Sequence, residues 1–359
     1  MSWRERTDLG HSIVADIHET LRIDDRWIVE RGNGFTWWAS DFAQSVWCEM
    51  GLYHNGMATY RVHAETDLLR GRGRPHQFES AIETEMDGCS FSSVIYDDRE
   101  DTFKLHSSLF ATEENIGWLK RTFLAAVALQ VCEAHHLGHG LARAVGGVPA
   151  SSSHPTAGMR TKADSCLEII PRYFGPMGVQ PSRWLGTVEW NEAERAMDRE
   201  SLRFWTDHQG KLHAEFAWDA GGMAGDVVLL QVDAHEPSSM MGNGLHFTLT
   251  VPLRMPPERV ARLALEMNSL ERQEWHRCHT LGSWCNHRGQ LAHRLFLPNT
   301  IYNPDLLPNL VIASAVRAQW VNEFFLAKRA AAMNAAVTPI PYGNGEEKST
   351  LTDVEANSA

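Results

Sequence analysis

The sequence lacks several features that would assign it to a class at once. Among its 359 residues no apolar run approaches the roughly 18 residues that a membrane-spanning helix needs. The first residues, MSWRERTDLGHS, have no apolar core of the kind that a signal peptide carries. The six cysteines are scattered, and none forms a Cys-x-x-Cys pair. These absences favour a cytoplasmic protein with reduced thiols and no membrane partner.

Positive charge is also in short supply. The chain has 33 Lys and Arg against 45 Asp and Glu, which gives a net charge of -12. Because phosphate backbones are bound by clustered basic side chains, this balance argues against a nucleic-acid partner. The densest basic stretch, residues 70–76, is short and is typical of a solvated loop.

Motifs that identify an enzyme are missing as well. The sequence has no Gly-x-Ser-x-Gly nucleophile elbow, and at 343–350 Glu347 stands where a phosphate-binding loop needs Gly. Cys and His are zinc ligands, but no group of them has the spacing of a closed zinc site. The two groups are Glu133, His136 and His139, and then His276, Cys278, His279, Cys285 and His287. We predict no catalytic residue, no metal and no cofactor, and keep a metal-dependent hydrolase that uses 276–287 as an alternative.

What the sequence does have is an internal repeat. Leu105, Leu109 and Phe110 recur 186 residues later in the stretch QLAHRLF. Further matches occur in the same order: Asn55-Gly56 with Asn243-Gly244, Ile82, Glu85 and Met86 with Leu263, Glu266 and Met267, and Ala126, Val127 and Gln130 with Ala315, Val316 and Gln319. Their common order predicts a tandem duplication of one domain. Each Asn-Gly pair predicts a tight hairpin turn.

The apolar spacing within one copy predicts a helix, about four strands, a middle helix, a two-stranded hairpin and a long helix. We therefore predict an α+β fold of two tandem domains, 8–145 and 164–332, each an antiparallel sheet packed against helices. The Gly/Pro/Ser-rich segment 146–163 predicts a flexible linker, and the polar, acidic segment 337–359 predicts a disordered tail. The stretch 166–197 contains three prolines and stays unassigned, although it is a candidate for the first helix of the second copy.

This order of elements resembles the YbjN and type III secretion chaperone-like superfamily. The resemblance rests on the repeated Asn-Gly hairpin, the middle helix that ends in Glu-Met, and the Leu-x-x-x-Leu-Phe strand before a long Ala/Val-rich helix. It covers roughly 10–140 and, less regularly, 165–330. It implies cytoplasmic proteins that bind other polypeptides, have no catalytic residues and pair as homodimers. Two copies in one chain would then form an intrachain pseudo-dimer.

Thirteen tryptophans supply the candidate binding residues. Adjacent residues on a strand, such as Trp37 and Trp38, face opposite sides of the sheet, so helices on one side cannot cover both. The remaining aromatic surface would pack between the two copies or accept a partner's apolar segment. We predict that the chain binds another polypeptide through Trp37, Trp38, Trp47, Tyr60, Phe216, Trp218 and Phe247. A structural subunit of a larger assembly is a further alternative.

Overall fold

A computed structural model shows a mixed α+β chain with two antiparallel sheets, which confirms the predicted class at this level. The residues that it describes are 2–54, 56–70, 91–175, 180–199, 203–220, 225–238, 240–273, 279 and 281–337. The predicted middle helix of the first copy, the basic loop after Arg70, and the predicted tail beyond Val337 lie outside this set. Within it, no helix combines the length and the hydrophobicity that a bilayer crossing demands.

The first sheet is built from hairpins that the alternating sequence pattern predicts. Its strands are β1 (Ile28–Arg31), β2 (Gly34–Trp38), β3 (Ala43–His54), β4 (Met57–Arg70), β5 (Ser93–Asp97), β6 (Thr102–Ala111) and β7 (Val148–Pro149). Their spatial order is β1-β2-β3-β4-β6-β5, and β7 pairs with part of β4. Consecutive strands pair as hairpins except where β6 lies between β4 and β5.

The second sheet has the same strand order. Its strands are β8 (Arg203–Thr206), β9 (Leu212–Ala217), β10 (Val227–Asp233), β11 (Gly244–Thr250), β12 (Ser283–His287) and β13 (Gln290–Pro298), arranged β8-β9-β10-β11-β13-β12. The repeated residues fall at matching places. Leu109 of β6 lies opposite Val62 of β4, and Leu295 of β13 lies opposite Phe247 of β11.

The two Asn-Gly pairs differ in structure. Gly56, between β3 and β4, has a φ of +81° and serves the predicted tight turn. The turn predicted at Asn243-Gly244 is wrong, because Gly244 already opens β11, with ten residues between it and the end of β10 at Asp233. A Cβ on Gly244 would lie 2.1 Å from the carbonyl oxygen of Leu297, so glycine is required there for the close approach of β13.

Six α-helices are described: α1 (Leu9–Thr20), α2 (Ile116–Val145), α3 (Cys166–Phe174), α4 (Val188–Arg199), α5 (Pro257–Gln273) and α6 (Leu306–Val337). Glycine is common at the end of a helix, but α2 passes through Gly138, continues to Val145 and is capped by Gly146 with a φ of +70°. A Cβ on Gly138 would lie 2.6 Å from the ring of Phe42. This glycine therefore allows close packing and does not end the helix.

Each sheet has a helix face, on which its long helix packs. In the first sheet α1 and α2 cover this face, and Gln130 of α2 accepts a hydrogen bond from Thr66 and another from Gln44. In the second sheet α6 covers the helix face, where its Trp320 lies against Trp284 of β12. Buried apolar side chains from both sheets form one continuous core.

The segment 146–163, predicted to be a flexible linker, is held against the first sheet. Strand β7 pairs with the end of β4, and the backbone N–H of Ser152 donates to the carbonyl of Asp41. The indole of Trp38 donates to the hydroxyl of Ser152 at 3.0 Å, and the buried His154 ring meets the Trp38 ring edge-on. This segment covers the β1–β2 end of the sheet on the face opposite the helices.

Helix α5 lies between the two sheets. Its Asn268 side chain accepts from the backbone N–H of Trp284 and donates to the carbonyl of the same residue, so it occupies the free edge of β12. One turn later, Arg272 reaches Glu65 on β4 of the first sheet at 2.5 Å. The helix therefore joins the two sheets.

Candidate binding surface

Most of the aromatic residues predicted to bind a partner are buried in the chain itself. The indole of Trp37 donates to the Gln44 side chain at 2.8 Å inside the first sheet's core, and Trp218 packs against Phe325 of α6. The five buried side chains are Trp37, Trp38, Phe216, Trp218 and Phe247. For these five the predicted exposed role is corrected, because helices cover one face of each sheet and residues 146–163 cover Trp38.

Trp47 and Tyr60 are only partly buried. The ring of Trp47 stacks on His63 at 4.8 Å between centroids, and its indole donates to Glu49. Tyr60 packs on the helix face, where a Cβ on Gly10 would lie 2.8 Å from its ring. Both therefore have contacts within the chain and present only part of their area to solvent.

The face of the first sheet that points away from its helices is polar and yet buried. Arg61, His63 and Glu65 of β4 and His106 of β6 lie on it, each less than a tenth exposed. Arg61 donates to the hydroxyl of Ser108 at 3.2 Å and to the backbone carbonyl of Glu271 on α5 at 3.0 Å. This face is covered by the second half of the chain.

Glu271 is the centre of a buried polar group on the second half's side of this contact. One of its carboxylate oxygens accepts two hydrogen bonds from Arg317 of α6, at 2.8 and 2.5 Å, and the other accepts from the Trp284 indole at 2.7 Å. Arg317 also donates to the carbonyl of His279, whose Nδ1 accepts from the backbone N–H of Phe110 on β6 at 3.1 Å. Charges are thus paired and hydrogen-bonded, as burial requires.

The histidines in this region are held neutral. Burial lowers the pKa of His106 well below its ordinary value, and the charges of Arg61 and Arg272 act in the same direction. Burial, with Arg317 and Arg61 adding to it, lowers the pKa of His279 to about 3. Burial also lowers the pKa of His63, although its contact with Glu49 opposes the shift. Such groups support a structural interface and do not supply a proton donor near neutral pH.

The corresponding face of the second sheet is different, because it is partly open. Along β10 and β11 buried and partly exposed residues alternate, whereas β2 is buried throughout and β6 nearly so. We call the exposed part the open face. It consists of Arg203 and Trp205 of β8, Glu215 of β9, and Leu229 and Gln231 of β10, and the buried His213 of β9 lies between Trp205 and Gln231.

Strand register sets the open face in two rows. Trp205, His213 and Gln231 lie opposite one another, and in the next row Glu215 lies opposite Leu229. The Trp205 ring stacks on His213 at 5.0 Å between centroids and remains 36% exposed. The imidazole Nε2 lies 3.0 Å from Asp207, and this hydrogen bond lowers the pKa of the Asp207 carboxyl to about 2. Asp207 thus orients the His213 ring, on which the Trp205 ring stacks.

Sequence reasoning missed Trp205, although a signal for it exists. Leu212, Ala214 and Phe216 alternate as an inward-facing set, which places His213 on the other face. The turn from Asp207 to Gly210 then sets Trp205 beside His213. The length of β8 and the exposure of its end could not be read from this pattern.

The described members of the predicted Cys/His group do not form a metal site. His279 contacts Phe110 and the ring of Trp118, and Cys285 and His287 lie on β12. His276 and Cys278 lie outside the described residues. In the other group, His139 faces Asp41 at 2.9 Å, while Glu133 is buried. Among the residues that the structure describes, the metal-ligand types that converge are Asp8, His11 and Cys48, whose ligand atoms lie within 4.8 Å of one another.

Comparisons with known proteins do not assign the chain. No protein-family model matches it, and neither a curated protein nor a solved structure shows significant similarity to it.

Proposed function

We propose that the chain is a non-enzymatic polypeptide-binding protein that takes an extended, apolar segment of a partner on its open face. The observation that carries this proposal is the different burial of two sheets with the same strand order. In the first sheet the face opposite the helices is covered by α5. In the second sheet the corresponding face is open at β8–β10 and exposes Trp205 and Leu229.

The chemistry of the open face suits a peptide. Exposed tryptophan offers a large, rigid apolar area at little entropic cost, and it lies beside polar groups that can hydrogen-bond a backbone. Strand β8 is hydrogen-bonded to β9 on one side, so its other edge carries backbone groups that an added strand would pair. In a partner strand beside β8, every second side chain would point to the open face, and one of these side chains would lie against Trp205.

In this proposal the two halves are tandem copies of a secretion-chaperone-like unit that pair within one chain in the cytoplasm. The shared strand order supports this interpretation, as does the equivalent register of Leu109 and Leu295. The buried contacts around Glu271 would then take the place of the dimer interface that the resemblance implies.

Site-specific photocrosslinking in cells tests the proposal. A photoreactive residue at Leu229 should give an adduct with another polypeptide, and Trp205→Ala should reduce it. Leu326, a 38% exposed leucine on α6, is the matched control position and should give none. Equal adducts at both positions, or no adduct at Leu229, would refute the proposal. Adducts formed only with a second copy of this chain would favour the structural-subunit alternative.

A further inference from the structure

The N-terminus of α1 meets strand β3 at a compact group of three different metal-ligand types. Asp8 caps the helix, with its carboxylate accepting from the backbone N–H of His11 at 3.1 Å. The imidazole Nδ1 of His11 lies 2.7 Å from the same carboxylate. Cys48 approaches from β3, and one ligand atom from each residue lies within 4.8 Å of the other two.

Two features of this group point to a ligand. His11 is only 5% exposed, and its Nδ1 is turned toward the Asp8 carboxylate, so a nitrogen and an oxygen ligand already face each other in a buried place. Cys48 is a free thiol that is 2% exposed. A cation held between Nδ1, the Asp8 carboxylate and the Cys48 sulfur would take the place of the present Nδ1 contact and would stabilise a thiolate.

We infer that Asp8, His11 and Cys48 form a zinc site that fastens α1 to the first sheet. Zinc accepts this mixture of oxygen, nitrogen and sulfur ligands, whereas a thiolate disfavours Mg²⁺ and Ca²⁺. Three protein ligands leave the fourth tetrahedral position to water. Asp8 is about one-third exposed and gives an entry route, and binding releases the Cys48 proton to solvent.

The surroundings do not oppose a cation. Arg6 is a positively charged residue two positions before Asp8, but it is exposed and can turn away. Asp8 itself supplies the negative charge of the group. The inference does not depend on the proposed polypeptide binding, because the site lies on the helix face of the other sheet.

Titration of the metal-free full-length protein with Co²⁺ tests the site. One equivalent should produce tetrahedral ligand-field bands and a thiolate-to-cobalt charge-transfer band. Cys48→Ala should abolish the charge-transfer band, while Cys132→Ala, which alters another buried free cysteine, should retain it. Asp8→Asn keeps a good helix cap and should weaken Co²⁺ binding by about 10-fold or more.

Two further measurements keep the test decisive if Cys48→Ala folds poorly. Zinc should raise the melting temperature of the unaltered protein but have little effect on Asp8→Asn. Cys285→Ala should leave the cobalt spectrum unchanged. Absence of a thiolate band at stoichiometric Co²⁺ would overturn the inference. A band that survives Cys48→Ala and disappears in Cys285→Ala would also overturn it, in favour of the 276–287 group.

Discussion

At the scale of single residues, the structure shows how the charge of a buried carboxylate is accommodated. Glu271 is 3% exposed, and both of its carboxylate oxygens are occupied, by Arg317 and by Trp284. Removal of one partner from such a pair leaves the other charge uncompensated in a place that water does not reach. The cost should therefore far exceed that of a pair on the surface.

Glu271→Gln should lower the free energy of unfolding by about 3–5 kcal/mol, because Arg317 loses its counter-charge while the shape is kept. The matched control is Glu266→Gln on the same helix, where Lys328 lies at 2.5 Å and both side chains are nearly half exposed. It should cost less than about 1 kcal/mol. Urea unfolding followed by circular dichroism measures both, and similar losses would contradict the assignment of Glu271 as a buried network centre.

At the scale of single elements, neighbouring residues of a strand face opposite sides of the sheet, so one packs in the core while the next is available for binding. Leu229 and Leu230 are neighbours on β10, yet Leu230 is 1% exposed on the helix face and Leu229 is partly exposed on the open face. Strands β10 and β11 thus follow the half-buried pattern that a sequence can predict. The first sheet does not, because both of its faces are covered.

Leu230→Ala should destabilise the protein by about 2–5 kcal/mol through the cavity that it leaves. Leu229→Ala should cost less, at about 1 kcal/mol, since part of that side chain stays exposed after folding and its removal leaves no enclosed cavity. Chemical denaturation of the two variants gives the comparison directly. If Leu229→Ala proved as costly as Leu230→Ala, the open face would be closed in solution.

The hairpins, their order and the long helices followed from local patterns, since alternation and helical spacing record which side of an element is buried. Features that depend on distant contacts did not. Glycine often ends a helix, yet at Gly138 the residue is needed because the ring of Phe42, outside the helix, packs against it. Likewise Gln319, matched to the buried Gln130 by sequence, is exposed, while Arg317 is buried. Five of the seven aromatic residues predicted to bind a partner are buried by elements that no local pattern relates to them.

At the scale of the whole molecule, the contact between the halves combines paired charges with neutral histidines. A histidine whose pKa is depressed on folding binds its proton better in the unfolded chain. Stability is then fully present above the unfolded pKa of about 6.5 and is lost as the pH falls below it. His63, His106 and His279 all have lowered pKa values, so all three act in this direction.

His106→Asn should therefore reduce the pH dependence of unfolding. The difference in free energy between the unaltered protein and the variant should shrink below pH 6.5, by up to about 1.4 kcal/mol for each pH unit. Urea unfolding between neutral pH and mildly acidic pH measures this slope. A difference that stays constant with pH would show that His106 does not exclude a proton in the folded state.

The position of Asn268 against β12 has a consequence for aggregation. A strand at the border of a sheet can recruit the same strand from another molecule and so begin a fibre. The amide of Asn268 already takes the N–H and the carbonyl of Trp284, as a neighbouring strand would. On the far border β8 is only four residues long, which limits how many backbone bonds a second molecule could form there. The second sheet can thus leave one short edge free for a bound segment without providing a template for fibre growth.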